Sequence, residues 1–129
     1  MVGESETKAS LRIILIDDDP FDVKLIEATL RASLNCHVTA VDSKAALMAY
    51  LWRELPDVVI SDTNIPGFDG LKVLELMQRL HPGVPFVFCS GTVSSELRVK
   101  LILAGARALV SKSDLEGLVA VVKRECGLE

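Results

Sequence analysis

Short aliphatic runs recur along this chain, each followed by a stretch whose apolar residues fall at helical spacing. That alternation limits the possible folds more than any other feature. The run at 11–16 is rich in Ile and Leu and those at 58–60 and 86–89 are continuously apolar, as buried parallel strands are; 36–41 is weaker and 107–111 is short. Between them, Pro20 suits the first turn of a helix carrying Val23, Ile26 and Leu30, with Leu25 beside them. Ser43 can cap a second helix with Leu47, Leu51 and Leu55 on its apolar face. A third follows Gly70 with Leu71, Leu74 and Met77 and stops at His81-Pro82-Gly83; a fourth spans about 94–104 and is closed by Gly105. Ser113-Asp114-Leu115-Glu116 fits an S-x-x-E capping box, so a fifth helix starts there and runs to about residue 126 on Leu115, Leu118, Val119 and Val122. Five strands alternating with five helices predict an α/β fold, a doubly wound parallel sheet. Right-handed crossovers leave few topologies, and the flavodoxin-like order 2-1-3-4-5 puts strands one and three together at the switch point.

A length of 129 residues is enough for one domain with a single good core. Residues 1–9 are polar and aperiodic and read as a disordered tail, leaving 10–129 as the domain. A net charge of −4 without a Lys/Arg cluster argues against nucleic acid as a direct partner. The first residues have no signal-peptide h-region, and no apolar run reaches the length of a membrane span. Cys36, Cys89 and Cys126 lack C-x-x-C spacing and fit reduced, mostly buried thiols of a cytoplasmic protein. His37 and His81 stand alone, which argues against zinc and for surface or loop positions.

In the 2-1-3-4-5 order the ends of strands one and three are neighbours, so Asp17 and Asp18 should lie close to Asp62. Pro66, Gly67 and Gly70 stop regular structure just beyond Asp62, leaving its carboxylate at the carboxyl edge of the sheet. Strands four and five bring Ser90 and Lys112 to the same rim. Clustered carboxylates repel, and hard oxygens with spare water ligands suit Mg²⁺. Lys112 supplies a point charge for a phosphate, and the Ser90 hydroxyl can donate to a phosphoryl oxygen. Each residue also has an ordinary explanation. Asp17, Asp18 and Asp19 could serve a helix dipole, Asp62 and Ser90 could be turn residues, and Lys112 could be solvated. Four separate strand ends delivering compatible groups to one rim favour a site.

Those motifs, Leu15-Ile16-Asp17-Asp18-Asp19-Pro20, Asp62 with Pro66-Gly67 and Asp69-Gly70, Phe88-Cys89-Ser90-Gly91, and Gly105-Ala106 leading to Lys112, resemble a receiver (response-regulator) domain of two-component phosphorelays. The likeness runs from Leu11 to about Gly127. It implies that Asp62 is the phosphoacceptor of a phosphoprotein switch rather than of a multiple-turnover enzyme. It further implies that Asp18 binds Mg²⁺ directly, Asp17 through water, and Asp62 and the Asn64 backbone carbonyl with them. Ser90 and Lys112 become the phosphate-sensing pair, and Asn64 and Thr92 tune the rate of dephosphorylation. A histidine kinase or histidine phosphotransfer protein would be the donor, with an output partner on the surface of the fourth helix, fifth strand and fifth helix. A homodimer through that surface stays open.

Two positions depart from the family. Ser113 follows Lys112 where a proline with a cis bond is usual, so Lys112 should be held differently or in strain. Leu109 stands where the family tends to have Tyr or Phe, which puts the usual output coupling in doubt. These departures lend some weight to an alternative, a pseudo-receiver interaction module that does not turn over phosphate. A haloacid dehalogenase-type phosphatase is disfavoured, since it places D-x-D on the first strand. A flavin-binding flavodoxin-like protein lacks support, since no Ser/Thr-rich phosphate loop follows that strand.

Overall fold

The computed structural model describes residues 10–128; the expected tail at 1–9 lies outside the described residues. The elements follow in the order β1 (Leu11–Ile16), α1 (Pro20–Ser33), β2 (Cys36–Val41), α2 (Lys44–Arg53), β3 (Val58–Ser61), α3 (Gly70–Leu80), β4 (Phe86–Ser90), α4 (Ser95–Leu103), β5 (Ala108–Ser111) and α5 (Leu115–Glu125). All strand pairings are parallel and the sheet order is β2-β1-β3-β4-β5, the predicted flavodoxin-like arrangement. No helix among the described residues is long and apolar enough to cross a membrane.

Alternation along each strand divides the core into two layers, because successive side chains leave a strand on opposite faces. Ile14, Ile16, Val59, Phe86, Phe88 and Leu109 face one way, against Leu47 and Tyr50 of α2, Val73, Leu74 and Met77 of α3, and Leu101 of α4. Ile13, Leu15, Val58, Ile60, Val87, Cys89 and Val110 face the other way, against Ile26 and Leu30 of α1 and Leu118, Val119 and Val122 of α5. Each large aliphatic side chain so buried is worth roughly 1.5–3 kcal/mol. The two-sided burial explains the unbroken apolar runs at 13–16, 58–60 and 86–89 within β1, β3 and β4.

Helix starts follow local chemistry. Asp19 caps α1, accepting from the Phe21 and Asp22 amides, with Pro20 in the first turn; Ser43, Asp69 and Ser94 cap α2, α3 and α4. Two expectations need correction. The second helix ends at Arg53, so Leu55 lies beyond it and is 47% exposed. The last helix is capped by Asp114, whose side chain accepts from Gly117 N, and not by Ser113. The Ser113 hydroxyl is engaged instead with Ser111 Oγ at 2.7 Å, which shifts the cap by one residue. After α4 the chain reverses at Gly105, whose φ of +116° lies outside the range that side chains tolerate.

Candidate functional site

Strand register assembles the site. Ile16 is paired with Ser61, so the next residues, Asp17 and Asp62, leave adjacent strands side by side. The Asp62 amide donates to Ile16 O at 2.8 Å and the Asp17 amide to Val41 O at 3.1 Å. Ser90 is paired with Ser111, and the Lys112 amide then donates to Ser90 O at 2.8 Å. Four strand ends thus converge at the carboxyl edge, where open α/β sheets hold their ligands.

Lys112 is the hub. Its Nζ donates to Asp62 Oδ2 at 3.0 Å and to Asp22 Oδ2 at 2.8 Å, and lies 2.9 Å from Asp17 Oδ2. Every described peptide bond is trans, the one joining Lys112 to Ser113 included, and the lysine still reaches all three acids. Burial alone would lower the Lys112 pKa; the hydrogen bonds to Asp22 and Asp62 and the nearby charge of Asp17 outweigh it and raise the value, so the ammonium stays charged.

Asp62 is buried, with Oδ1 accepting from the Thr63 amide at 2.7 Å and the Asn64 amide at 3.3 Å. Asp17 is 3% exposed, and its Oδ1 accepts from the Asp19 amide at 3.0 Å. Its Oδ2 makes an ion contact with Lys112 Nζ at 2.9 Å, and this buried oxygen accepts no hydrogen bond. Burial raises the Asp17 pKa above the ordinary 3.8, with the Asp62 charge adding to the rise and the Asp19 amide and Lys112 opposing it. Asp18 is exposed at the rim.

One carboxylate oxygen from each of Asp17, Asp18 and Asp62 lies within 4.8 Å of the others. The donor set is hard oxygen, one member is a buried oxygen without a hydrogen bond, and the single ammonium of Lys112 faces three acids. The residues therefore fit a small divalent cation of the Mg²⁺ type, which takes one or two carboxylates and keeps water.

Ser90 is fully buried; its Oγ lies 2.6 Å from Thr63 Oγ1 and accepts from the Thr92 amide at 3.1 Å. Asn64 and Thr92 are exposed at the mouth. Asp17, Asp18, Asp62, Asn64, Ser90, Thr92 and Lys112 are thus gathered on one rim as their strand ends predict. Sequence reasoning missed Asp22 and Thr63. An acid in the first turn of a helix already has a local reason to be there, and a Thr after an Asp carries no signal without its neighbour Ser90. Cys89, next to Ser90, is buried, and that burial pushes its thiol up to about 12, with the Lys112 charge opposing and the Asp17 and Asp62 charges adding; Cys36 and Cys126 are half-buried.

Leu109 is buried beside its strand partner Phe88, and its carbonyl accepts from Arg98 Nη2 of α4 at 3.1 Å. The position where the family tends to place an aromatic ring is therefore a packed aliphatic one, with no hydroxyl to present.

Comparison with known proteins agrees with this geometry. A family model described as response regulator receiver domain matches residues 13–123. The chain is 32% identical over 121 residues to protein-glutamate methylesterase/protein-glutamine glutaminase 1 of Cereibacter sphaeroides, covering 88% of this chain and 32% of that protein. It is 30% identical over 112 residues to the DNA-binding transcriptional regulator NtrC of Escherichia coli, covering 85% of this chain and 24% of that one. The chain thus spans a third or less of the length of these relatives. Among solved structures, the BeF3-activated DrrB receiver domain superposes with a TM-score of 0.81 at 22% identity, over 92% of this chain and 99% of that one, a likeness of fold. With a parallel 2-1-3-4-5 sheet, an acidic rim at its carboxyl edge and a family match over most of its length, this chain belongs to the response regulator receiver domain family.

Proposed function

We propose that the domain accepts a phosphoryl group from a phosphohistidine onto Asp62 in a Mg²⁺-dependent reaction, and that the modified aspartate resets a protein-interaction surface. The observation that carries this reading is the seat of Asp62: Lys112 Nζ lies 3.0 Å from Oδ2, and Asp17 and Asp18 oxygens stand within 4.8 Å. An Asp62 oxygen attacks phosphorus, the P–O bond forms as the P–N bond of the donor breaks, and the imidazole leaves with the bonding pair. Lys112 balances charge on the transferring oxygens, and the Thr63 and Asn64 amides orient the carboxylate through Oδ1. Asp17, Asp18, Asp62 and the Asn64 carbonyl would hold Mg²⁺, which when bound neutralises charge on the phosphoryl oxygens. Water later attacks phosphorus, releasing inorganic phosphate and restoring the carboxylate; Asn64 and Thr92 flank that approach.

The donor is a histidine kinase or histidine phosphotransfer protein. Engagement of Ser90 by the new charge biases α4, β5 and α5 as the output face. Incubation with Mg²⁺ and acetyl phosphate, followed by intact-mass measurement, tests the reading. A phosphoryl adduct is expected on the wild type and none on Asp62→Asn. An unmodified wild type, the behaviour of a pseudo-receiver, or an equal adduct on the variant overturns it.

A further inference from the structure

We propose that Thr63 is a positioning residue that holds the Ser90 hydroxyl in a resting place, so that its release sets how readily Ser90 engages a phosphoryl group on Asp62. This rests on the reading of Asp62 as phosphoacceptor. A serine hydroxyl has one proton and two lone pairs. The Thr92 amide takes one lone pair at 3.1 Å, and Thr63 Oγ1, at 2.6 Å, takes either the proton or the other lone pair. Among the described residues the Ser90 hydroxyl has no other hydrogen bond, and none to Asp62 or Lys112. The hydroxyl is therefore satisfied where it stands, inside a fully buried side chain.

Drawing Ser90 to a phosphoryl oxygen trades the Thr63 contact for the new one, in surroundings where an abandoned hydroxyl bond is costly. Thr63 is placed to sense both ends of that exchange, since its amide also donates to Asp62 Oδ1 at 2.7 Å. One residue thus holds the acceptor through its backbone and the responding hydroxyl through its side chain. Valine is the informative replacement, because it keeps the shape of threonine and removes only the hydroxyl. Serine keeps the hydroxyl and removes the methyl.

The experiment titrates beryllofluoride, with Mg²⁺ present, into wild type, Thr63→Val and Thr63→Ser, and follows bound fluoride by ¹⁹F NMR. The same variants are then read in a Ser90→Ala background. Thr63→Val should bind roughly three- to tenfold more tightly, the worth of one neutral hydrogen bond. Thr63→Ser should match the wild type, and the gain from valine should vanish when Ser90 is Ala. Equal or weaker binding by Thr63→Val overturns the proposal, as does a gain that survives in Ser90→Ala. Mg²⁺ affinity without beryllofluoride is measured alongside, and a valine effect of equal size there means a general disturbance of the pocket, which also overturns it. The acetyl phosphate adduct tests Asp62 separately, so the Thr63 contact can fail while the phosphoacceptor reading stands.

Discussion

Lys112, just beyond β5, donates a 2.8 Å hydrogen bond to Asp22 in the first turn of α1, ninety residues away in the chain. The same ammonium lies 2.9 Å from Asp17 and 3.0 Å from Asp62, so it ties together the ends of β1, β3 and β5 and the start of α1. This one cation stands among three carboxylates and offsets part of their mutual repulsion.

Removing that cation should therefore destabilise the fold. In Lys112→Met the three acids face one another uncompensated. We expect a loss of about 2 kcal/mol in urea unfolding without Mg²⁺, below the range for fully buried pairs because the lysine keeps some contact with water. The loss should shrink as pH falls and the acids take up protons, and Mg²⁺ should restore part of it. A stability equal to wild type at neutral pH without Mg²⁺ contradicts this account of Lys112.

Asp17 should behave in the opposite sense. Burial raises its pKa above 3.8, so the folded chain binds that proton more tightly than the unfolded one. The ionised form then costs stability, and the cost grows as pH rises through 3.8 and is complete above the folded-state pKa. Asp17→Asn should thus be more stable than wild type at neutral pH without Mg²⁺, by about 1 kcal/mol, with the gain fading as pH falls toward the ordinary carboxylate range. Urea midpoints across that pH range check it. The variant should also lose most of its Mg²⁺ affinity, read by calorimetry.

Leu109 should matter for packing and not for phosphoryl acceptance. It is 4% exposed in the layer containing Phe88 and Leu101, so Leu109→Ala opens a cavity and should cost about 3 kcal/mol. The acetyl phosphate adduct on Asp62 should form at the wild-type rate under conditions where the variant is folded. A variant that folds normally but fails to label would show that this position acts on the chemistry.

The strands were legible in the chain because 13–16 of β1, 58–60 of β3 and 86–89 of β4 are buried on both faces, which favours unbroken apolar runs there. β2 lies at the sheet edge with two buried residues, and its signal is correspondingly weaker. Helix starts were legible where a cap had no rival, as at Ser43. At Ser113 it was not, because the hydroxyl of Ser111 lies 2.7 Å from that of Ser113 and Asp114 takes over the cap. Asp17, Asp18, Asp62, Ser90 and Lys112 could be placed on one rim because residues that follow parallel strands must emerge at the same edge.

Periodicity and turn chemistry act over a few residues, and they were sufficient for the order of elements, the sheet topology and the list of groups at its carboxyl edge. Which of those groups touch is a different matter. The grip of Lys112 on Asp22, its ion contact with Asp17, and the Thr63–Ser90 contact each join residues that are far apart in the chain or that have an adequate local role. Side-chain direction and burial decide such contacts, and both are set only once the helices have packed onto the two faces of the sheet.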